Sequence, residues 1–183
     1  MIDMALIDMC KNPNVDSNII QQIIRVESSF QKFVVNVNKL DSFVLKTPEE
    51  AEKTAKEYIE KGYSVDMGLM QFNSKNLRLP IFSHLTVDDL FDPCKNIKAG
   101  SDVFFLAYES TNKNLSKEER INQALSIYNT GNQDLGFKNG YVAKYSSLPI
   151  LISSLVEKAR KSDTKINLSY NLFNLESKKG EIK

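Results

Sequence analysis

Residues 16–30 of the sequence read DSNIIQQIIRVESSF, and the spacing of the apolar residues in this segment is the strongest indication of the fold. Ile20, Ile23 and Ile24 recur at helical spacing, which predicts an amphipathic helix whose apolar stripe faces the core. Glu27 is the next member of that stripe, so its carboxyl group is expected to face inward. Burial raises the pKa of a carboxyl group, which would let Glu27 hold a proton at neutral pH and act as a general acid. The alternative is a structural glutamate that ends the helix, reaches solvent, or binds a buried arginine or backbone amide.

The composition of the chain is typical of one globular domain. It has 183 residues, of which 42% are hydrophobic and 26% charged, enough for one substantial core. The formal charge of +1 and the scattered lysines and arginines argue against nucleic acid as a partner. No apolar run is long enough to cross a bilayer, so no integral membrane segment is expected. The start MIDMA lacks the basic region of a signal peptide, so the protein either stays inside the cell or is shown in a mature or trimmed form.

The chain has two cysteines and one histidine, and their positions argue against a metal site. Cys10 and Cys94 lie far apart without the spacing of a zinc site, and His84 stands alone. No metal is therefore expected. From the residues alone, two buried free thiols and a disulfide that closes a long loop are both open interpretations.

Helix signals dominate the rest of the chain. Capping residues predict further helices that begin at Thr47, Asp92 and Ser116. The second of these contains a nearly all-apolar run at residues 103–108 and is expected to be the central buried element. In the third, the helical spacing turns Tyr128 toward the core. Residues 33–46 and 62–85 look irregular, with room for a short hairpin.

The C-terminal part divides into a last helix and a tail. The helix is predicted over residues 148–161, which would end a domain of residues 1–161. Residues 162–183 are mostly polar and are expected to be a flexible tail, the alternative being a segment that adds to the sheet edge of a partner.

The segment GLMQFN at residues 68–73 has the composition of a sugar-binding turn. Gly68 permits close approach of the backbone, and Met70 offers an adaptable apolar wall. Gln71 and Asn73 offer donors and acceptors that suit sugar hydroxyls and acetamides. Taken alone, the segment is more readily interpreted as a plain junction between a loop and a helix.

Three segments in a fixed order resemble one family. They are ESSF at 27–30, GLMQFN at 68–73, and ALSIYNTGN at 124–132 followed by GYVAKY at 140–145. Together they resemble the soluble lytic transglycosylase domain of the lysozyme superfamily. The phrases FDPCKNI at 91–97 and YNTGN at 128–132 are more particularly similar to the peptidoglycan-cleaving subunit of type IV secretion and conjugation systems.

The resemblance implies a mainly α-helical, lysozyme-like α+β single domain with a groove for the glycan strand. The implied reaction is non-hydrolytic cleavage of the β-1,4 bond between N-acetylmuramic acid and N-acetylglucosamine, which leaves 1,6-anhydromuramoyl ends and needs no cofactor. Glu27 matches the single catalytic acid/base of the family, which protonates the glycosidic oxygen and then deprotonates the muramoyl 6-hydroxyl. The implied partners are the peptidoglycan glycan strand and other subunits of a type IV secretion or conjugation apparatus.

The resemblance also implies roles for individual residues. The expected substrate-binding residues are Ser28, Met70, Gln71, Asn73, Tyr128, Asn129 and Tyr141. Tyr128 is expected to hydrogen-bond and orient Glu27, and Tyr141 is expected to pack on a sugar ring. Cys10 and Cys94 match a cysteine pair of the secretion-associated members, which implies a disulfide and a periplasmic location.

Two other functions are open alternatives on the sequence. Asp66 is the best candidate for a second carboxylate, and if it activated water the enzyme would be a hydrolytic lysozyme or endolysin of the same fold. A role as a loop or cap hydrogen-bonding residue is favoured for Asp66. The other alternative is a non-catalytic peptidoglycan-binding scaffold that keeps the groove.

Overall fold

A computed structural model describes residues 2–145 of the chain. The structure divides into two compact units, of which the first ends at Phe105 and the second begins at Leu106. The helix predicted at 148–161 and the tail predicted at 162–183 lie outside the described residues, so the boundary between them stays a prediction.

The described residues are mainly helical and include a small sheet, as expected. The α-helices are α1 (Met4–Cys10), α2 (Ser17–Ser28), α3 (Pro48–Glu60), α4 (Pro93–Ser110), α5 (Lys117–Thr130) and α6 (Leu135–Lys138). The strands are β1 (Val34–Val37), β2 (Asp41–Val44), β3 (Val65–Met67) and β4 (Phe72–Asn73). Turns of 3₁₀ helix cover Ser74–Arg78, Pro80–Phe82, Asp88–Phe91 and Val142–Tyr145.

Helix α2 is the amphipathic helix that the sequence predicts. The Asp16 side chain caps it by accepting a hydrogen bond of 2.8 Å from the backbone N–H of Asn18. Ile20, Ile23 and Ile24 are fully buried, which confirms the apolar stripe. Burial of these side chains supplies the stability of the helix, since each contributes about 1.5–3 kcal/mol.

The predicted helix starts at Thr47 and Ser116 are confirmed, with one difference in capping. At α5, Ser116 and Glu119 exchange both bonds of a capping box. At α3, Thr47 accepts from the backbone N–H of Glu50, but the Glu50 carboxylate reaches the N–H of Lys46 at 3.0 Å. The glutamate of the capping box therefore accepts from the residue before the N-cap, Lys46, and not from the N-cap residue Thr47.

Helix α4 begins directly after Asp92, as predicted, and its apolar run is buried. Phe104 and Ala107 are fully buried and Tyr108 nearly so. In the second unit, Arg120 of α5 contacts the C-terminal end of α4. Its guanidinium donates to the backbone carbonyl of Tyr108 at 3.1 Å, and it lies 4.0 Å from the centre of the Tyr108 ring.

The prediction of irregular structure at residues 33–46 and 62–85 is wrong in part. The expected hairpin is present as β1 and β2, and β3 and β4 extend it to an antiparallel sheet in the order β2-β1-β3-β4. With three and two residues, β3 and β4 are too short to show an alternating pattern in the sequence. One face of the sheet carries buried apolar side chains, namely Val35, Val37, Val65, Met67 and Phe72.

A disulfide joins Cys10, the last residue of α1, to Cys94 in the first turn of α4, with their Cα atoms 5.0 Å apart. The expected pairing is therefore confirmed. The two cysteines are 84 residues apart, so the chain-entropy estimate of the stabilisation is about 4–5 kcal/mol. Within residues 2–145, no helix combines the length and the apolar character that crossing a membrane requires.

Candidate functional site

The predicted catalytic residue Glu27 lies in the last turn of α2 and is half-buried at the border of the apolar stripe. Its neighbour Ser28 is buried, and the Ser28 hydroxyl donates to the carbonyl of Ile24 at 3.1 Å. The next two residues, Ser29 and Phe30, have φ angles of 51° and 64°. Left-handed conformations cost about 1–2 kcal/mol each for residues other than glycine. Two in succession, beginning two residues after Glu27, indicate a strained exit from the helix.

Gly68 lies at the start of a tight turn that follows β3. Its φ is +73°, and a Cβ at this position would lie 2.3 Å from Nδ2 of Asn96 and 2.5 Å from the carbonyl oxygen of Leu90. Its N–H donates to the carbonyl of Val34 on β1 at 2.9 Å. The predicted close approach of the backbone is therefore confirmed, and it is an approach to helix α4 and to the segment before it.

Asn96 of α4 holds this turn in place. It is almost fully buried, and its Nδ2 donates to the carbonyls of Met67 at 2.9 Å and Leu90 at 2.7 Å. Its Oδ1 accepts from the N–H of Met70 at 2.8 Å. One side chain thus satisfies three backbone groups that would otherwise be buried without partners, each worth about 1–3 kcal/mol.

The two predicted groove residues of the turn have different surroundings. Met70 is fully buried, and Gly100 leaves room for it, since a Cβ on Gly100 would lie 2.5 Å from the Met70 Cβ. Met70 therefore supports the turn from the core, and its contact with substrate stays a prediction. Gln71 is half-buried with φ +48°, and its side-chain nitrogen donates to the carbonyl of Gly68 at 2.8 Å. Because the side-chain nitrogen makes this bond, the side-chain oxygen Oε1 of Gln71 lies on the side of its amide group that faces away from Gly68.

Asp66 on β3 is the centre of a group of side chains that we call the asparagine cluster, which consists of Asp66, Asn36, Asn38 and Asn73. Its Oδ2 accepts from Nδ2 of Asn36 at 3.1 Å and of Asn38 at 3.0 Å. Its Oδ1 accepts from Nδ2 of Asn73 at 2.6 Å. Asn36 and Asn73 are the direct cross-strand neighbours of Asp66.

The environment of Asp66 bears on the alternative of a water-activating carboxylate. Burial raises the pKa of Asp66, and the amides of Asn73, Asn36 and Asn38 oppose that rise. Both oxygens already accept N–H groups, so a water molecule would compete with three amides for the same lone pairs. This geometry favours the predicted role of a hydrogen-bonding residue.

The second unit contains the remaining predicted site residues. Asn129 is exposed, and its Oδ1 accepts from Nδ2 of Asn139 at 3.0 Å. The Oδ1 of Asn139 accepts from the backbone N–H of Tyr141 at 2.9 Å, so Asn139 connects two predicted binding residues. Tyr141 is buried, and its hydroxyl lies 2.8 Å from that of Tyr145. Tyr128 is half-buried in the last turn of α5, and its contact with Glu27 stays a prediction.

Sequence reasoning missed the asparagines that organise these segments, namely Asn36, Asn38, Asn96 and Asn139. Asn36 and Asn38 had a signal, because VVNVN at residues 34–38 alternates apolar and polar residues as a strand does. Asn96 acts through hydrogen bonds to residues 6 to 29 positions earlier in the chain, and Asn139 combines a local bond to Tyr141 with a bond to Asn129, ten residues earlier. Among residues 2–145 there is no group of three or more His, Cys, Asp or Glu side chains arranged to hold a metal ion.

Comparison with known proteins identifies the family. The family model described as "Transglycosylase SLT domain" matches residues 4–149. "Protein virB1" of Agrobacterium fabrum is 30% identical over 72% of this chain and 53% of its own length, and "Protein virB1" of Rhizobium radiobacter is 29% identical over 79% and 60%. "Type IV secretion system protein virB1" of Brucella abortus is 29% identical over 80% of this chain and 66% of its own length.

The chain spans 53 to 66% of the length of these relatives. No solved structure gives a significant match. The family match, in contrast, covers most of the chain, and it includes every predicted site residue. The chain therefore belongs to the Transglycosylase SLT domain family.

Proposed function

We propose that the protein is a peptidoglycan lytic transglycosylase that cleaves the β-1,4 bond between N-acetylmuramic acid and N-acetylglucosamine. The observation that carries the proposal is the family match, which spans residues 4–149 and takes in Glu27 and the segments at 68–73 and 128–141 in the expected order. The half-buried position of Glu27 at the end of a helix anchored by isoleucines supports its assignment as the acid/base.

In the proposed reaction, Glu27 serves twice. Its carboxyl group gives a proton to the glycosidic oxygen, and the bond between that oxygen and C1 of the muramoyl residue breaks. The 6-hydroxyl of the same sugar then bonds to C1, and the Glu27 carboxylate takes the proton of that hydroxyl. No water is consumed, and the residue returns to its acid form.

A digest of purified peptidoglycan by the full chain tests this proposal. Mass spectrometry is expected to find muropeptides that end in 1,6-anhydromuramic acid, which are lighter by one water than the reducing products of a hydrolase. Glu27→Gln is expected to lower the rate by at least about 100-fold, since positioned acid/base catalysis contributes 10²–10⁴-fold. Reducing muramic ends would indicate a hydrolase, and no cleavage by the wild-type protein would indicate a binding scaffold.

We also propose that this activity opens the cell wall locally for a type IV secretion or conjugation apparatus in the periplasm. The Brucella relative named "Type IV secretion system protein virB1" supports the connection with secretion. The Cys10–Cys94 disulfide supports an oxidising compartment, because disulfides persist there. Cross-linking in cells that carry such an apparatus is expected to recover its subunits together with the protein. Recovery from the cytoplasm with reduced cysteines would contradict the proposal.

A further inference from the structure

The asparagine cluster lies on the face of the sheet opposite Val35, Val37 and Val65. Asn36, Asp66 and Asn73 pair across β1, β3 and β4, so their side chains lie side by side on that face. All four members of the cluster are half-buried, and Ser42, the cross-strand partner of Asn36 on β2, is exposed. The cluster is thus a polar surface that a ligand can reach.

The carboxylate of Asp66 orients the surrounding carboxamides, and the carbonyl of Ser64, which accepts from Nδ2 of Asn38 at 3.2 Å, holds Asn38 in the same orientation. Each asparagine side chain has a donor NH₂ group and an acceptor oxygen, and the two can exchange places by a half-turn of the amide. An ionised carboxylate has only acceptors, so the NH₂ group faces Asp66 in all three asparagines. The reverse orientation would bring oxygen against oxygen in a partly desolvated site.

This orientation gives the cluster a defined recognition surface. The Oδ1 of Asn73 accepts from the backbone N–H of Lys75 at 2.9 Å and from the Ser64 hydroxyl at 3.1 Å. In Asn36 and Asn38, the oxygen lies on the side of the amide away from Asp66. These two oxygens suit a ligand that carries N–H and O–H donors, as an N-acetylated sugar does.

We propose that Asp66 is a positioning residue that fixes the carboxamides of Asn36 and Asn38 as acceptors for the acetamide N–H and the hydroxyls of an N-acetylated sugar. This inference rests on the proposed function, since it names a surface that binds the glycan, and it assigns Asp66 no part in proton transfer. Asp66 acts through the asparagines and does not itself touch the sugar.

Binding of a β-1,4-linked tetramer of N-acetylglucosamine to the full chain, measured by titration calorimetry, tests the proposal. Asp66→Asn keeps the shape of the side chain but presents an NH₂ group to donors and removes the charge. It is expected to weaken binding about 5- to 30-fold, the effect of one or two lost hydrogen bonds. Asp41→Asn, the same substitution on an exposed residue of β2, is the matched control and is expected to bind within two-fold of wild type. Wild-type binding by Asp66→Asn overturns the proposal.

A double-mutant cycle separates positioning from an independent contact. If Asp66 acts through Asn36, then Asn36→Ala and Asp66→Asn together weaken binding no more than the more severe single change. Additive effects would show that the two residues act separately and would overturn the proposal. The melting temperature of each variant is measured as well. If the role of Asp66 is purely structural, Asp66→Asn lowers the melting temperature but leaves the affinity unchanged at temperatures where the variant is folded.

A measurement on the wild-type chain covers the case in which Asp66→Asn fails to fold. The side-chain NH₂ resonances of Asn36 and Asn38 are expected to shift in the NMR spectrum when the tetramer is added, while those of the exposed Asn112 stay fixed. Unshifted resonances overturn the proposal. The tetramer contains no muramic acid, so this result does not depend on cleavage, and the wall digest tests the proposed function separately.

Discussion

Substitution of Gly68 by alanine tests how tightly helix α4 holds the turn at residues 68–71. Two costs combine at this position. A φ of +73° costs alanine about 1–2 kcal/mol. The new Cβ would also lie 2.3 Å from Asn96 and 2.5 Å from the carbonyl oxygen of Leu90, and relief of such overpacking costs about 1–3 kcal/mol. The expected loss in the free energy of unfolding is therefore about 2–5 kcal/mol.

Gly62→Ala is the matched control for this prediction. Gly62 has a similar φ of +88° in the same compact unit, but a Cβ there meets no atom within 4 Å. It is expected to lose only the conformational cost of about 1–2 kcal/mol. The difference between the two variants isolates the clash with Asn96 and Leu90.

Urea unfolding followed by circular dichroism measures both variants. Gly68→Ala is expected to be less stable than Gly62→Ala by about 1–3 kcal/mol. It also expects weaker glycan cleavage by Gly68→Ala at temperatures where both variants are folded, because the turn carries Gln71. Equal stability of the two variants would refute the reasoning that the turn is clamped against α4 and Leu90.

The remaining predictions concern other parts of the first unit. Asn96→Leu leaves three buried backbone groups without partners, so it is expected to lower the free energy of unfolding by about 3–5 kcal/mol in the same assay. A loss under about 1 kcal/mol would mean that the turn does not depend on Asn96. Reduction of Cys10–Cys94 is expected to cost about 4–5 kcal/mol in urea unfolding, with the double serine variant insensitive to reductant. The pKa of Asp89 is lowered from 3.8 to about 2 by Lys95, so its stabilising effect is present above pH 3.8 and lost as the pH falls through about 2. Asp89→Asn is expected to remove that part of the pH dependence of the melting temperature, and an unchanged dependence would contradict the assignment.

Local signals in the sequence were sufficient to predict α2, α3, α4 and α5, but not the short helices α1 and α6. Thr47 and Ser116 begin helices because their side chains bond to N–H groups only three residues ahead, and the isoleucines of α2 repeat within one helix. The strands β3 and β4 could not be predicted in this way, because two or three residues carry no periodicity. β3 pairs with β1, about 30 residues earlier in the chain, and β4 pairs only with β3.

The parts of the candidate site that belong to a sequence motif could be predicted. The parts that depend on contacts between distant residues could not. The motif at residues 68–73 identified Gly68, whose close approach the structure confirms. The motif did not predict the role of Asn96, whose three hydrogen bonds join it to residues 6 to 29 positions earlier in the chain. It also did not predict that Met70 would be buried, since burial depends on the gap that Gly100 leaves in α4.

The central claim is that Glu27 both gives and takes the proton in a cleavage that uses no water. Digestion of peptidoglycan in water labelled with oxygen-18 tests it directly, with the wild-type protein and Glu27→Gln compared by mass spectrometry. Unlabelled anhydromuramoyl ends are expected from the wild type, and almost no product is expected from the variant. Labelled reducing ends, or undiminished cleavage by Glu27→Gln, would contradict it.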